Sequence, residues 1–195
     1  MKKIILSVIA LGAFTFANAQ MREKGSIELA PQIGYGSANF YGEDNLDSSS
    51  LSSVTFGVGA DYFFNDRWSI HSGLFSQTNG AEDNAGVKLK LNYLTIPVNA
   101  NWHFGSTRKW YLNFGPSLGF LTSAKADNVN VKEDIKSFQL NLGVGIGYKI
   151  EVSEKFSILI DYQGTSALTE VFKESEGFNI KNSFGAFNVG GVIKL

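Results

Sequence analysis

The stretch Phe138-Gln139-Leu140-Asn141-Leu142-Gly143-Val144-Gly145-Ile146-Gly147-Tyr148-Lys149-Ile150 alternates without a break. Phe138, Leu140, Leu142, Val144, Ile146, Tyr148 and Ile150 make one face, and Gln139, Asn141, Gly143, Gly145, Gly147 and Lys149 the other. Successive side chains of a strand point to opposite sides, so a period of two over this length is strand. Its thirteen residues exceed an ordinary globular strand and suit a tilted bilayer crossing.

Seven other segments repeat the pattern. Ile27, Leu29, Pro31, Ile33 and Tyr35 alternate with Glu28, Ala30, Gln32 and Gly34. Val54 to Phe64, Trp68 to Thr78, Leu94 to Phe104 and Trp110 to Phe120 follow, then Phe156 to Gln163 and Phe187 to Leu195. Leu89 and Leu91 fall out of phase with Leu94 and Ile96, which predicts a bulge near Asn92. Asn65 to Arg67, Gly105 to Lys109 and Glu151 to Lys155 are short connections. The stretches at 37–53, 79–88, 123–136 and 166–182 read as longer polar loops. Short turns at one end and long loops at the other describe an outer-membrane barrel, and an even strand number returns both termini to the periplasmic side.

The N-terminus points to export. Lys2 and Lys3 precede an apolar run from Ile4 to Phe16, and Ala17-Asn18-Ala19 offers the small residues of a cleavage site. That order is a secretory signal peptide, residues 1–19, leaving 20–195 with Gln20 first as one barrel domain. The chain contains no cysteine, which excludes disulfides, thiolate metal sites and a lipoprotein anchor. Net charge is −1, without the basic footprint of a nucleic-acid-binding protein. No later segment is apolar enough for a spanning helix.

Alternation is equally compatible with a soluble, lipocalin-like barrel whose apolar face points inward. Two features favour lipid outside. Trp68, Trp102 and Trp110 all lie on the apolar face beside short turns, with Tyr148 and Phe156 nearby, as an interfacial girdle requires. The polar face is mostly Gly, Ser, Thr, Asn and Gln, suited to a crowded lumen. Eight strands leave an interior that side chains fill, so the expectation is an eight-stranded antiparallel transmembrane β-barrel with no wide pore.

Tyr93-Leu94-Thr95-Ile96-Pro97-Val98 and Asn113-Phe114-Gly115-Pro116-Ser117-Leu118-Gly119-Phe120 resemble the PorT-like outer-membrane β-barrel family. Trp68-Ser69-Ile70-His71-Ser72-Gly73-Leu74-Phe75-Ser76-Gln77 looks like its preceding hairpin arm. The resemblance implies a barrel of the Bacteroidota outer membrane, in a family whose members are mostly of unassigned role and in which PorT itself serves a protein secretion system. The family shares no catalytic motif, so no functional residue carries over. The last strand is similar to the assembly signal of outer-membrane proteins, although it ends in Leu195 where an aromatic residue is usual.

Few residues offer chemistry. A three-residue turn at Asn65 to Arg67 would place Asp61 opposite His71 on the inward face, the makings of a general-base dyad. No inward Ser or Cys stands in register beside it, and a satisfied polar pair is the simpler expectation. Glu28, Lys149, Asp161 and Lys194 share the inward phase, and closure of the barrel would bring Glu28 to Lys194. Such a network would plug the tube. Asp44, Asp47, Glu82 and Asp83 do not follow a calcium-loop spacing, and Gly143-Val144-Gly145-Ile146-Gly147 lacks the helix of a dinucleotide site. The reading is therefore a non-enzymatic protein without a cofactor, binding outer-membrane lipid, the barrel-assembly machinery during biogenesis and, through its extracellular loops, a protein partner. Accessory work in secretion, a soluble ligand-binding barrel and an outer-membrane hydrolase are the alternatives.

Overall fold

The computed structural model describes residues 22–42, 48–174 and 179–195. The expected signal peptide, residues 1–19, and Asp44 and Asp47 lie outside them. Eight long strands follow in order: β1 Ile27–Tyr41, β2 Ser48–Phe63, β3 Trp68–Asp83, β4 Lys88–Phe104, β5 Trp110–Ala126, β6 Phe138–Glu151, β7 Phe156–Ala167 and β8 Lys181–Lys194. Each pairs antiparallel with the next, and β8 closes on β1 in a register running from Glu28–Lys194 to Tyr41–Lys181. Closure leaves no sheet edge, the condition for strands in hydrocarbon, where an unpaired backbone group costs several kcal/mol.

The registers fix the stagger. Stepping across paired residues from Trp110 through Tyr148, Ile160, Val189, Ile33, Phe56, Ser76 and Leu94 returns to β5 at Phe120. One circuit thus climbs from position 110 to position 120. With ordinary strand rise and spacing, that stagger tilts the strands by about 40° and gives a backbone radius of about 8 Å.

The apolar stripe faces outward. Val144 is 55% and Ile146 44% exposed, whereas the intervening Gly145 and the flanking Asn141 are buried. Trp68 stacks on Trp102, Trp102 on Phe104 and Phe104 on Trp110, and Trp110 meets Tyr148 at 4.8 Å between ring centroids. Phe156 is exposed on the same rim. Inward glycines make room for bulk: a Cβ on Gly57 would strike Phe75, and one on Gly147 would strike Tyr111.

Two expectations are corrected. The strands run beyond the predicted segments, so the expected long loop at 79–88 shrinks to a tight turn between Asp83 and Lys88. There Asp83 Oδ1 accepts the N–H groups of Ala85 and Val87, and Gly86 supplies φ +84°. The irregularity near Asn92 exists, but its extra residue is Thr122 on β5, because Asn92 pairs with Ser123 and Tyr93 with Leu121. Strand β4 keeps one phase throughout, so Leu89 and Leu91 point inward together with Tyr93 and Thr95. Apolar side chains there fill the mouth of the barrel instead of facing lipid.

Candidate functional site

Strands β1, β2, β3 and β6 send titratable side chains into the periplasmic half of the lumen. Register sets Glu28 beside Asp61 and Asp61 beside His71, as the turn at Asn65 to Arg67 requires. Asn65 Oδ1 accepts the N–H groups of Arg67 and Trp68, which fixes that turn. His71 Nδ1 lies 3.0 Å from Asp61 Oδ1. Lys149 reaches across the narrow lumen, its Nζ 2.6 Å from Glu28 Oε2 and 3.0 Å from Asp61 Oδ2. Arg22, ahead of β1, completes the floor: its Nε donates to Glu28 Oε1 at 2.6 Å and its guanidinium to the Arg108 carbonyl. Asn101 donates to Asp61 as well. Three carboxylate–cation contacts at these distances, each further hydrogen-bonded, offset the desolvation that burial imposes.

Asp161 is held differently. Its carboxylate accepts hydrogen bonds from the Tyr111 hydroxyl at 2.5 Å, Asn188 Nδ2 at 2.6 Å and Gln163 Nε2 at 3.0 Å. The anticipated Glu28–Lys194 contact is not formed. The two residues are register partners, but Glu28 is turned to Arg22 and Lys149, while Lys194 lines the periplasmic rim near Leu195.

An inward serine does stand beside the dyad. Ser69 Oγ is 3.0 Å from His103 Nε2 and 3.5 Å from Asp61 Oδ1. Sequence alternation contained the clue, since Ser69 and His71 share a phase, but the diagonal reach to His103 depends on the β3–β4 register. Three parts of a hydrolase are thus near one another but not connected as a triad: Asp61 holds His71, whereas the histidine at Ser69 is His103. Ser69 is 2% exposed and His103 0%, so both are buried within the lumen.

Above this floor, Gln32, Thr55, His71, Asn99, Ser117 and Asn188 contribute to a chamber of ≈ 70 Å³. Asn99 Oδ1 and Asn188 Oδ1 have no hydrogen-bond partner among the described residues, and a space of this size with unpaired acceptors in its wall accommodates water. Gln77 bonded to Asn79, and Asn182 bonded to Gln139, form the next level.

The extracellular mouth is closed by apolar packing. Leu91, Tyr93, Leu121, Ala124, Ile135 and Val171 are buried together, with Phe40, Leu89, Val131 and Phe172 against them. Ile135 and Val171 come from two loops that clasp each other. Ile135 bridges Phe172, Lys136 N–H donates to the Val171 carbonyl, Lys173 N–H donates to the Asp134 carbonyl, and Lys136 pairs with Glu170 at 2.8 Å. A two-residue strand, Val129–Asn130, and a 3-10 turn, Lys132–Asp134, stiffen the first loop. Hydrophobic periodicity did not reveal this lid, because it is made between loops. Glu82 pairs with Lys88 at 3.7 Å, and among the described residues no group of three His, Asp or Glu side chains is arranged for a metal ion.

A model of the family described as outer membrane protein beta-barrel domain matches residues 6–191. No curated protein matches the chain. Among solved structures it is similar to Neisserial surface protein A, with 16% sequence identity and a TM-score of 0.57 over 87% of this chain and 97% of that one. It is also similar to the outer membrane protein OprG from Pseudomonas aeruginosa, with 13% identity and a TM-score of 0.52 over 90% and 98% of the two chains. At these identities the structural likeness shows the fold alone.

Proposed function

The chain belongs to the outer membrane protein beta-barrel domain family and resides in the outer membrane, and from that premise we propose that it is a sealed, non-catalytic barrel whose extracellular loops form an interaction surface. One observation carries this reading: the lumen is blocked at two levels by unlike means. Arg22, Glu28, Lys149 and Asp61 close the periplasmic half by ion pairing, and Leu91, Tyr93, Leu121, Ile135 and Val171 close the mouth by apolar packing. An ion crossing such a tube would have to break the floor and wet the lid. Purified protein in planar bilayers is expected to give no steady open-channel current. Stable unitary conductance overturns the reading.

A second reading, accessory work in protein secretion, is supported by the resemblance to PorT-like barrels. Of the three resembling stretches, 93–98 and 113–120 face each other across the β4–β5 hairpin, with Leu94 opposite Phe120 and Ile96 opposite Leu118, and 68–77 on β3 pairs with β4. Their likeness therefore concerns three adjoining strands. Co-purification with secretion components would favour this reading, and a barrel recovered without them from secreting cells would count against it.

A further inference from the structure

Between the clasped loops and the rim formed by β1, β3 and β4 lies a cleft of ≈ 390 Å³, within the range of small-molecule sites. Phe40, Val87, Leu89, Val131, Ile135 and Phe172 contribute its apolar wall. Backbone hydrogen bonds hold both sides: Asp83 N–H donates to the Val87 carbonyl on the rim, and Lys136 and Lys173 fasten the two loops opposite. The space is thus pre-formed, and it opens at the end of the barrel away from the periplasmic turns.

The ionisable residues that line the cleft are of one sign. Asp83 and Asp134 are the ionisable residues in its lining. Neighbouring cations are turned elsewhere: Lys88 to Glu82, Lys132 to the Thr122 carbonyl, and Lys136 to Glu170. Lys173 is exposed to solvent and does not line the space. Asp83 spends one carboxylate oxygen on its own turn, whereas the Asp134 carboxylate has no hydrogen-bond or ion-pair partner among the described residues. An apolar hollow with an unpaired carboxylate at its edge complements a molecule that has an apolar body and a positive head.

We propose that this cleft binds a small amphipathic cation, an alkyl- or arylammonium, with its apolar body against Leu89, Val131 and Phe172 and its head at Asp134. The inference goes beyond the sealed-barrel reading and does not depend on it, since a conducting barrel could carry the same cleft.

The test uses the protein with ¹³C-labelled Ile, Leu and Val methyls in nanodiscs of zwitterionic lipid, titrated with octylammonium, 1-octanol and octanoate. The lipid-facing methyls of Leu142, Val144 and Ile146 report partition into the bilayer, while those of Val87, Leu89, Val131 and Ile135 report the cleft. Saturable shifts at the cleft methyls are expected, with affinity in the order octylammonium, octanol, octanoate. Asp134→Asn should weaken octylammonium by about three- to fivefold, as an exposed charge pair does, and leave octanol unchanged. Its side chain supports no other described residue, so the variant should keep its fold, checked by its heat-modifiable migration. Shifts confined to lipid-facing methyls, octanoate binding as well as octylammonium, or an unchanged octylammonium affinity in Asp134→Asn would each overturn the proposal.

Discussion

Lys149 extends into the lumen with only 2% of its side chain exposed. It is shared by Glu28 and Asp61, and its ammonium also lies 5.4 Å from the Tyr111 ring centroid and 5.7 Å from that of Phe63. Removing one member of a buried ionic group leaves the others uncompensated, which typically costs about 3–5 kcal/mol. Lys149→Met is therefore expected to lower the unfolding free energy, read from urea titration in lipid vesicles, by an amount in that range, and neutralising Glu28 in the same chain should restore part of it. Additive losses in the double variant would mean that the two residues do not act on each other. The Asp61–His71 pair was legible beforehand, because turn length and period two determine the partner across a hairpin. Arg22 was not, since it precedes the first strand and reaches Glu28 through loop geometry.

A strand in this barrel separates two solvents along its length, and each strand tests the assignment of faces. On β6, Val144 meets lipid near mid-height while Asn141 and Lys149 are buried in the lumen. An arginine on the lipid face near the bilayer midplane costs about 2–4 kcal/mol in such barrels. Val144→Arg should lose stability on that scale when refolded into vesicles of ordinary thickness, with a smaller loss for Ile150→Arg at the rim. Equal losses at the two positions would contradict the outward orientation of β6. Strand β4 shows where reading one segment at a time fails. The phase break at Leu91 looked like a fault in β4, yet β4 is regular and β5 absorbs the extra residue at Thr122. An apolar residue facing inward near the mouth has the same sequence signature as one facing lipid after a bulge, and only the partner strand distinguishes them.

At the scale of the whole molecule, closure and the seals belong to one cylinder of about 8 Å backbone radius, set by strand number and stagger. Because β8 pairs with β1 from Glu28 to Tyr41, interrupted only at Ala30 and Pro31, the seam closes the cylinder. The folded protein should resist SDS at room temperature and migrate differently before and after boiling. Deleting residues 181–195 should abolish the difference, and its survival would show that the seam is dispensable.

The order of residues by itself determined the strands, the outward stripe, the aromatic girdle and the inward charges, since period two, turn chemistry and ring placement are local properties of a chain that must pair in lipid. Only the tertiary structure decided which charges meet, that Ser69 reaches His103, and that two loops build an apolar lid with a cleft beside it. Those outcomes depend on the stagger of the closed barrel and on contacts between segments far apart in the chain, and no short-range pattern records either.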